Sequence, residues 1–283
     1  MLEQCLVRPH PQSGFAPRDN RLGLSVRHTP RQNRLLAALP AENYERLLPH
    51  LELVPLPLGW AVYEAGTKMN YLYFPTCGIL SRIHVTKDGA PTGISIAGND
   101  GLIGVALIMG GDTSARRVVV HSAGYAYRLR ADVLKREFER GGTLQQLLLR
   151  YAQALITQMA QTAVCNRHHS VVQQLCRWLL LNLDRSPSNE LTMTQELIAT
   201  MLGVRREGVT EAAGHLQKAG LIQYRRGHIT VLDRSKLETL ACECYAVVKE
   251  EFERLLPDQT AVDIPFKIRT ARSCARQTKI LAA

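Results

Sequence analysis

No apolar run in this 283-residue chain approaches the ~20 residues that a membrane-spanning helix needs; the longest, residues 102–109, falls far short. Acidic residues are also scarce: 25 Asp and Glu stand against 35 Lys and Arg, for a net charge of +10. That balance favours polyanionic partners, nucleic acid or an anionic membrane surface. The excess reaches both ends, with Arg8, Arg18, Arg21, Arg27, Arg31 and Arg34 near the N-terminus and Lys267, Arg269, Arg272, Arg276 and Lys279 near the C-terminus. The seven cysteines are odd in number and scattered, which excludes a secreted disulfide framework and reads as reduced thiols. No charged start, apolar core and cleavage site follow one another, so no secretion signal and a cytoplasmic location are expected. No nucleophile, base and acid stand at a recognisable spacing, so no enzymatic activity is expected.

Several kinds of texture follow one another along the chain. Residues 1–32 form a basic tail without periodicity. Leu35, Leu36, Leu39, Tyr44, Leu47, Leu48 and Leu51, interrupted by Pro40 and Pro49, predict short helices. Short apolar runs at 61–63, 71–74, 79–85, 93–96, 117–121 and 125–129 alternate with glycine turns, which predicts a β-sandwich or roll. A long helix follows, in which Leu144, Leu148, Tyr151, Leu155, Gln158, Thr162 and Cys165 step by four and three. This seam predicts a parallel dimer through Leu144, Leu148, Tyr151 and Leu155; Leu147, Ile156 and Met159 widen it enough to face its own domain as well. Ser170 opens a further helix, 171–183, and a last one is expected over 236–256, closed by Pro257.

Residues 194–232 are the most informative. Counting Gln195 as position one, Ala199, Gly203 and Val209 fall at positions five, nine and fifteen. Two helices crossing at a tight turn need a small residue, a left-handed glycine and a β-branched plug at those places. The stretch is a helix-turn-helix, a device that sets a helix in the DNA major groove. Its second helix, about 206–219, buries Val209, Ala212, Ala213 and Leu216 and leaves Arg206, Glu207, Thr210 and Glu211 outward to read bases. Arg205 and Lys218 are placed to meet phosphates. Gly208 and Gly214 inside this helix predict close backbone approach, to DNA or to a packed neighbour. Leu221, Ile222 and Tyr224, then Arg225-Arg226-Gly227-His228, then Ile229 and Val231 read as a hairpin wing. Arg225, Arg226 and His228 suit its tip to phosphate contact.

This order of elements, with the recognition-helix segment LGVRREGVTEAAGHLQKAGLI, resembles the family of the cyclic-AMP receptor protein and the fumarate–nitrate reduction regulator (Crp/Fnr). The likeness covers about residues 33–236; Tyr63-Glu64-Ala65-Gly66 and Tyr71-Leu72-Tyr73-Phe74 also look like the family's roll. It implies an α+β architecture: a cyclic-nucleotide-binding-like roll over 33–142, a dimerisation helix over 143–169, a winged helix over 170–256 and a basic tail over 257–283. It further implies that Arg206 and Glu207 are the base-reading pair. Gly208 stands where Thr or Ser is usual and Glu211 where a second Arg is common, so the half-site differs from that of the cyclic-AMP receptor. Nucleotide binders of the family carry Gly-Glu before a short helix and Arg-Ser/Thr-Ala after it, the Arg pairing with the cyclic phosphate. Here Gly104-Val105 precedes and Ala115-Arg116-Arg117 follows, so Val105 replaces the Glu and only Arg116 or Arg117 is left to meet an anion.

The resemblance therefore implies a homodimeric transcription regulator that binds double-stranded DNA, with an effector other than cyclic AMP or none; a roll without effector would shape the dimer or meet RNA polymerase. The alternative is a small-molecule or redox sensor whose winged helix makes protein contacts. No cofactor is expected. The family's oxygen sensor groups cluster-binding cysteines near the N-terminus, where this chain has only Cys5 and, much later, Cys77. His84 and His121 read as packed or solvated residues rather than haem ligands. Cys242 and Cys244, with Cys165, Cys176 and His168-His169 as conceivable neighbours, are a further metal-like grouping. Two helical residues that close point about 200° apart, so no metal site is expected there.

Overall fold

The computed structural model describes residues 28–186 and 188–256; most of both basic tails, with Cys5, Pro257 and Cys274, lies outside them. The described chain opens on two short helices, α1 (Arg34–Ala37) and α2 (Ala41–Leu47). Buried Asn33 caps α1, accepting from the Leu35 and Leu36 amides, and its own amide donates to the carbonyls of Pro75 (2.9 Å) and Gly101 (2.8 Å). One side chain thus starts the helix and fastens it to the sheet.

That sheet is antiparallel: β1 (Glu52–Leu56), β2 (Ala61–Tyr63), β3 (Tyr71–Val85), β4 (Pro91–Ala97) and β5 (Arg117–Arg130), ordered β1-β5-β3-β4 with β2 also on β5. The runs expected as four short strands at 71–74, 79–85, 117–121 and 125–129 are two long ones. Their apparent breaks are bulges, where the register shifts around Pro75, Cys77 and Ile79. Gly78 and Gly124 face each other there: a Cβ on Gly124 would lie 2.3 Å from the Cys77 carbonyl oxygen, and one on Gly78 2.7 Å from that of Ser122. The glycines mark a close backbone crossing inside the sheet rather than turns at its edge. Three strands and helices had no expectation: β1, disguised by Pro55, α3 (Ala131–Glu139), which follows β5 without a break signal, and the short β6 (Glu190–Thr192).

The long helix α4 (Gly142–His168) corrects the dimer seam. Leu144, Leu148, Tyr151 and Leu155 are buried in the chain's own core, with Leu72, Phe74 and Leu102 of the roll, and the Tyr151 hydroxyl donates to the Leu102 carbonyl (3.0 Å). The helix is apolar on more than one side, and the seam of highest apolar content packs inward. The outward residues lie on a parallel track one position along: Leu149 (49% exposed), Gln153, Ile156 (45%), Ala160 and Ala163.

Beyond it come α5 (Val171–Leu183), opened by a Ser170–Gln173 capping box, then β6 (Glu190–Thr192), α6 (Gln195–Leu202), α7 (Arg206–Lys218), β7 (Ile222–Arg225) and β8 (His228–Val231). The helix expected over 236–256 is two, α8 (Arg234–Leu240) and α9 (Glu243–Leu255). Ala241 and Cys242 between them have extended backbones. The 200° separation assumed for Cys242 and Cys244 therefore fails, because Cys242 precedes its helix; both thiols are buried.

The second core is shared between sheet and helices: Ile79, Ile83 and Ile96 of the roll pack with Leu175, Trp178, Leu179 and Leu202. A Cβ on Gly93 of β4 would lie 2.8 Å from the Met201 carbonyl oxygen, so α6 sits directly on that strand. Polar groups cross the same boundary. His121 of β5, wholly buried, contacts Ser81 through Nδ1 and Asn182 of α5 through Nε2 (2.8 Å). His84 is exposed.

Burial pushes the His121 imidazole down to about 4; the Asn182 hydrogen bond pulls the other way and Arg185 adds to the depression. Unfolded, the ring takes its proton near pH 6.5. Between those values the unfolded chain binds more protons, so stability falls as pH drops from about 6.5 towards 4. Denaturant unfolding at pH 7 and pH 5 is expected to show the wild type losing about 2 kcal/mol more than His121→Gln over that interval.

Candidate nucleic-acid interface

The helix pair is built from its turn outward. Thr194 caps α6 by accepting from the Leu197 amide (3.2 Å), and Gly203 ends the helix in the left-handed region (φ 66°, ψ 34°). Ala199, Val209, Ile198, Leu202 and Ala212 fill the angle between α6 and α7, all buried. That packing fixes which face of α7 remains. Arg206, Glu207, Thr210 and Glu211 are exposed on it together, with Arg205 at its N-cap and Lys218 in its last turn, also exposed. The Thr210 hydroxyl lies 2.9 Å from Oε1 of Gln195 and 3.1 Å from the Arg206 carbonyl. Gln195, first residue of α6, therefore belongs to the same face, and its position beside the N-cap Thr194 was the signal for it in the sequence.

The wing is β7 and β8, extended by β6 into a three-stranded sheet in the order β6-β8-β7. Arg225 pairs with His228 in register, and Arg226 (φ 50°) and Gly227 (φ 82°) form the connection. Two successive left-handed residues match the right-handed twist of a tight hairpin. Arg226 is the only non-glycine residue with positive φ among the described residues. An arginine there costs of order 1 kcal/mol in backbone strain, spent at a tip where the gain is an exposed positive charge. His228 is exposed, 3.4 Å from Thr192. Tyr224 ties the wing to the helix pair: its hydroxyl donates to the Met193 carbonyl (2.9 Å) and its amide to Oε1 of Gln217 on α7 (2.8 Å). Burial raises the Tyr224 phenol above its ordinary value, with Arg206 near enough to pull it back. Recognition helix and wing thus form one face carrying Arg205, Arg206, Lys218, Arg225 and Arg226, broken by Glu207 and Glu211.

In the roll, Gly104, Val105 and Arg116 line one pocket of about 120 Å³. Arg117 is not part of it; it points outside and pairs with Glu64 (3.2 Å), both half exposed. Leu155 and Met159 of α4 also line the pocket, as does Arg82, a residue without a sequence signal because it looks like any strand arginine. Arg82 is buried, donating to the Leu102 carbonyl (2.7 Å) and the Ser95 hydroxyl (3.3 Å), neither of them a carboxylate.

The two glycines of α7 have different surroundings from those expected of a packed helix. A Cβ on Gly208 would meet Val171 at an ordinary 3.9 Å, and one on Gly214 would meet nothing within 4 Å. No neighbour in the fold demands glycine at either place. Gly214→Ala is expected to raise the denaturant midpoint, with unchanged slope, by up to about 1 kcal/mol of helix propensity.

Comparison with known proteins agrees with this geometry. Residues 173–240 match the Crp-like helix-turn-helix domain. The solved structure of FixK2 from Bradyrhizobium japonicum superposes with a TM-score of 0.58 at 14% identity, covering 68% of this chain and 98% of that one. The c-di-GMP responsive global regulator CLP of Xanthomonas campestris gives 0.52 at 19% identity, covering 69% and 100%. A Crp/Fnr-family transcriptional regulator from Thermus thermophilus gives 0.53 at 18% identity, covering 67% and 98%. At such identities the likeness is one of fold. No curated protein matches the sequence. Residues 173–240 are accordingly similar to the Crp-like helix-turn-helix domain, in a chain whose fold is like that of solved Crp/Fnr-family regulators.

Proposed function

We propose that the chain is a homodimeric, sequence-specific regulator of transcription that binds double-stranded DNA in the cytoplasm. The single observation that carries this reading is the outward face of α7, where Arg206, Glu207, Thr210 and Glu211 stand exposed together beside a basic wing. Arg206 can donate two hydrogen bonds to a guanine edge and Glu207 can accept from cytosine, while Arg205, Lys218, Arg225, Arg226 and His228 meet phosphates. In this reading residues 33–142 are the sensing roll, 143–169 the dimerising helix and 170–256 the DNA-binding part.

A second copy supplies the second half-site, about 34–36 Å away along the duplex. The surface that supports this pairing is the outward track of α4 through Leu149, Gln153, Ile156, Ala160 and Ala163, which keeps heptad spacing after the inward seam has been used by the roll. The pocket bounded by Arg82, Arg116 and Val105 touches α4 through Leu155 and Met159. An occupant there would bias that helix and, through it, the spacing of two recognition helices. The effector is a molecule other than cyclic AMP, or there is none and the roll serves the dimer or RNA polymerase.

On a genomic fragment retained by the wild type, Arg206→Ala is expected to weaken specific binding by about 1–3 kcal/mol and leave non-specific binding unchanged. Replacing Arg225 and Arg226 together by Gln weakens binding to all sequences and lowers the salt slope by about two. Unchanged binding in both variants would instead favour a winged helix used for protein contacts. Sedimentation of Ile156→Glu is expected to show a folded monomer, whereas Leu148→Glu, which strikes the inward seam, loses the fold; a dimeric Ile156→Glu would remove α4 as the pairing surface.

A further inference from the structure

Four donor groups converge where the end of α4 meets the start of α9. Cys165 lies in the last turn of α4, and His169 is the residue that ends it, four positions on and on the same helical face. Cys242 is the N-cap of α9 and Cys244 lies in its first turn. The three sulfurs belong to buried side chains, His169 is nearly so, and one donor atom from each of the four lies within 4.8 Å of all the others. Cys165 and Cys242 are 3.5 Å apart through Sγ, and Cys244 Sγ is 3.6 Å from His169 Nδ1.

Those lengths discriminate between chemistries. A disulfide needs sulfurs about 2.05 Å apart. A tetrahedral ion with metal–sulfur bonds of about 2.3 Å and metal–nitrogen bonds of about 2.0–2.1 Å has donor–donor edges of about 3.5–3.8 Å. The Cys165–Cys242 separation of 3.5 Å and the Cys244–His169 separation of 3.6 Å lie at the length of such edges, and the other donor pairs are within 4.8 Å. The surroundings are also those of an ion site. The other ring nitrogen of His169, Nε2, lies 3.2 Å from a carboxylate oxygen of Glu243, which sets the ring with Nδ1 towards the sulfurs. Gln174 holds the His169 carbonyl (2.9 Å). Three thiolates around a divalent ion leave a net charge of −1, and buried Arg177, whose charge acts on Cys165 and Cys244, offsets it.

We propose that Cys165, His169, Cys242 and Cys244 form a tetrahedral site for one divalent transition-metal ion of the zinc class. All four positions are filled by protein, so the site is closed and structural rather than catalytic. Its ligands come as two local pairs separated by the whole of α5, β6, α6, α7, β7, β8 and α8. A bound ion therefore closes a loop around the helix-turn-helix and wing and ties both ends of that unit to the foot of α4. The site stands apart from the DNA reading and is tested without it.

The experiment uses the full chain, reduced, stripped with chelator and titrated with cobalt(II) and zinc(II). The expected result is one ion per chain, cobalt spectra with thiolate charge-transfer and tetrahedral d–d bands, and displacement of cobalt by zinc. Cys242→Ser loses this binding by at least 100-fold, and exposed Glu243→Gln, which leaves the core intact, weakens it by about 10–100-fold. Cys77→Ser, on β3, binds as the wild type does. Absence of stoichiometric binding by the reduced wild type, retention of tetrahedral cobalt bands by Cys242→Ser, or a Cys165–Cys242 disulfide in freshly isolated protein would each overturn the assignment.

Discussion

The arrangement of this chain depends on one buried ion pair. Arg185, at the end of α5, meets Asp100 in the loop after β4 through two contacts, Nη2 to Oδ2 at 2.6 Å and Nε to Oδ1 at 3.1 Å. The same guanidinium donates to the Leu181 carbonyl (2.6 Å) and lies 5.6 Å from the centre of the Phe252 ring on α9. Roll, α5 and α9 therefore share one side chain. Gly98 makes this possible, since a Cβ there would stand 2.8 Å from that of Arg185. Removing one member of such a pair leaves an uncompensated buried charge, a cost of about 3–5 kcal/mol. The pair is thus a strong geometric constraint even where its net contribution to stability is small. With α5 held at that end, the direction of α6 and α7 follows, because α7 packs on α5 and α6 packs on β4.

Three inputs converge on α4. Near its middle, Leu155 and Met159 border the pocket of the roll, and Gln158 accepts from the Ile96 amide (3.1 Å). Its outward track is free for a second copy. Its last turn carries Cys165 beside Cys242 and Cys244. In the proposed reading, a helix used in all three ways passes a change at any one of them to the winged helix. The physical requirement is two discrete positions of that helix, each favoured by a different set of contacts.

Much of this was legible in the sequence, and the reason differs by region. The helix pair could be read because Gly203, Ala199 and Val209 answer local steric demands that few other structures make. The wing could be read because Arg226-Gly227 encodes its own turn. The start of helix α5 was legible through Ser170, whose cap, completed by Gln173, is made of neighbouring side chains. The long strands were not, because Gly78 and Gly124 look like turn glycines until their partner strand is known. The direction of α4 was not, because a helix apolar on two sides carries two seams, and only packing against the roll selects between them. Arg82 was hidden for the same reason: its meaning lies in residues far away in the chain. The Cys165–His169–Cys242–Cys244 grouping was visible but discounted, because one continuous helix was expected where the chain breaks at Ala241 and Cys242.

The central claim is that the outward face of α7 and its wing read a DNA sequence as a symmetric pair. The most direct measurement is selection of bound fragments from genomic DNA by the purified full-length protein at physiological salt, followed by sequencing of the retained fragments. A two-fold-symmetric motif with half-sites one helical turn apart, lost when Arg206 is replaced by Ala, is the predicted result. Retention of fragments with no shared motif, or of none above the background of a wing-neutralised variant, would contradict it.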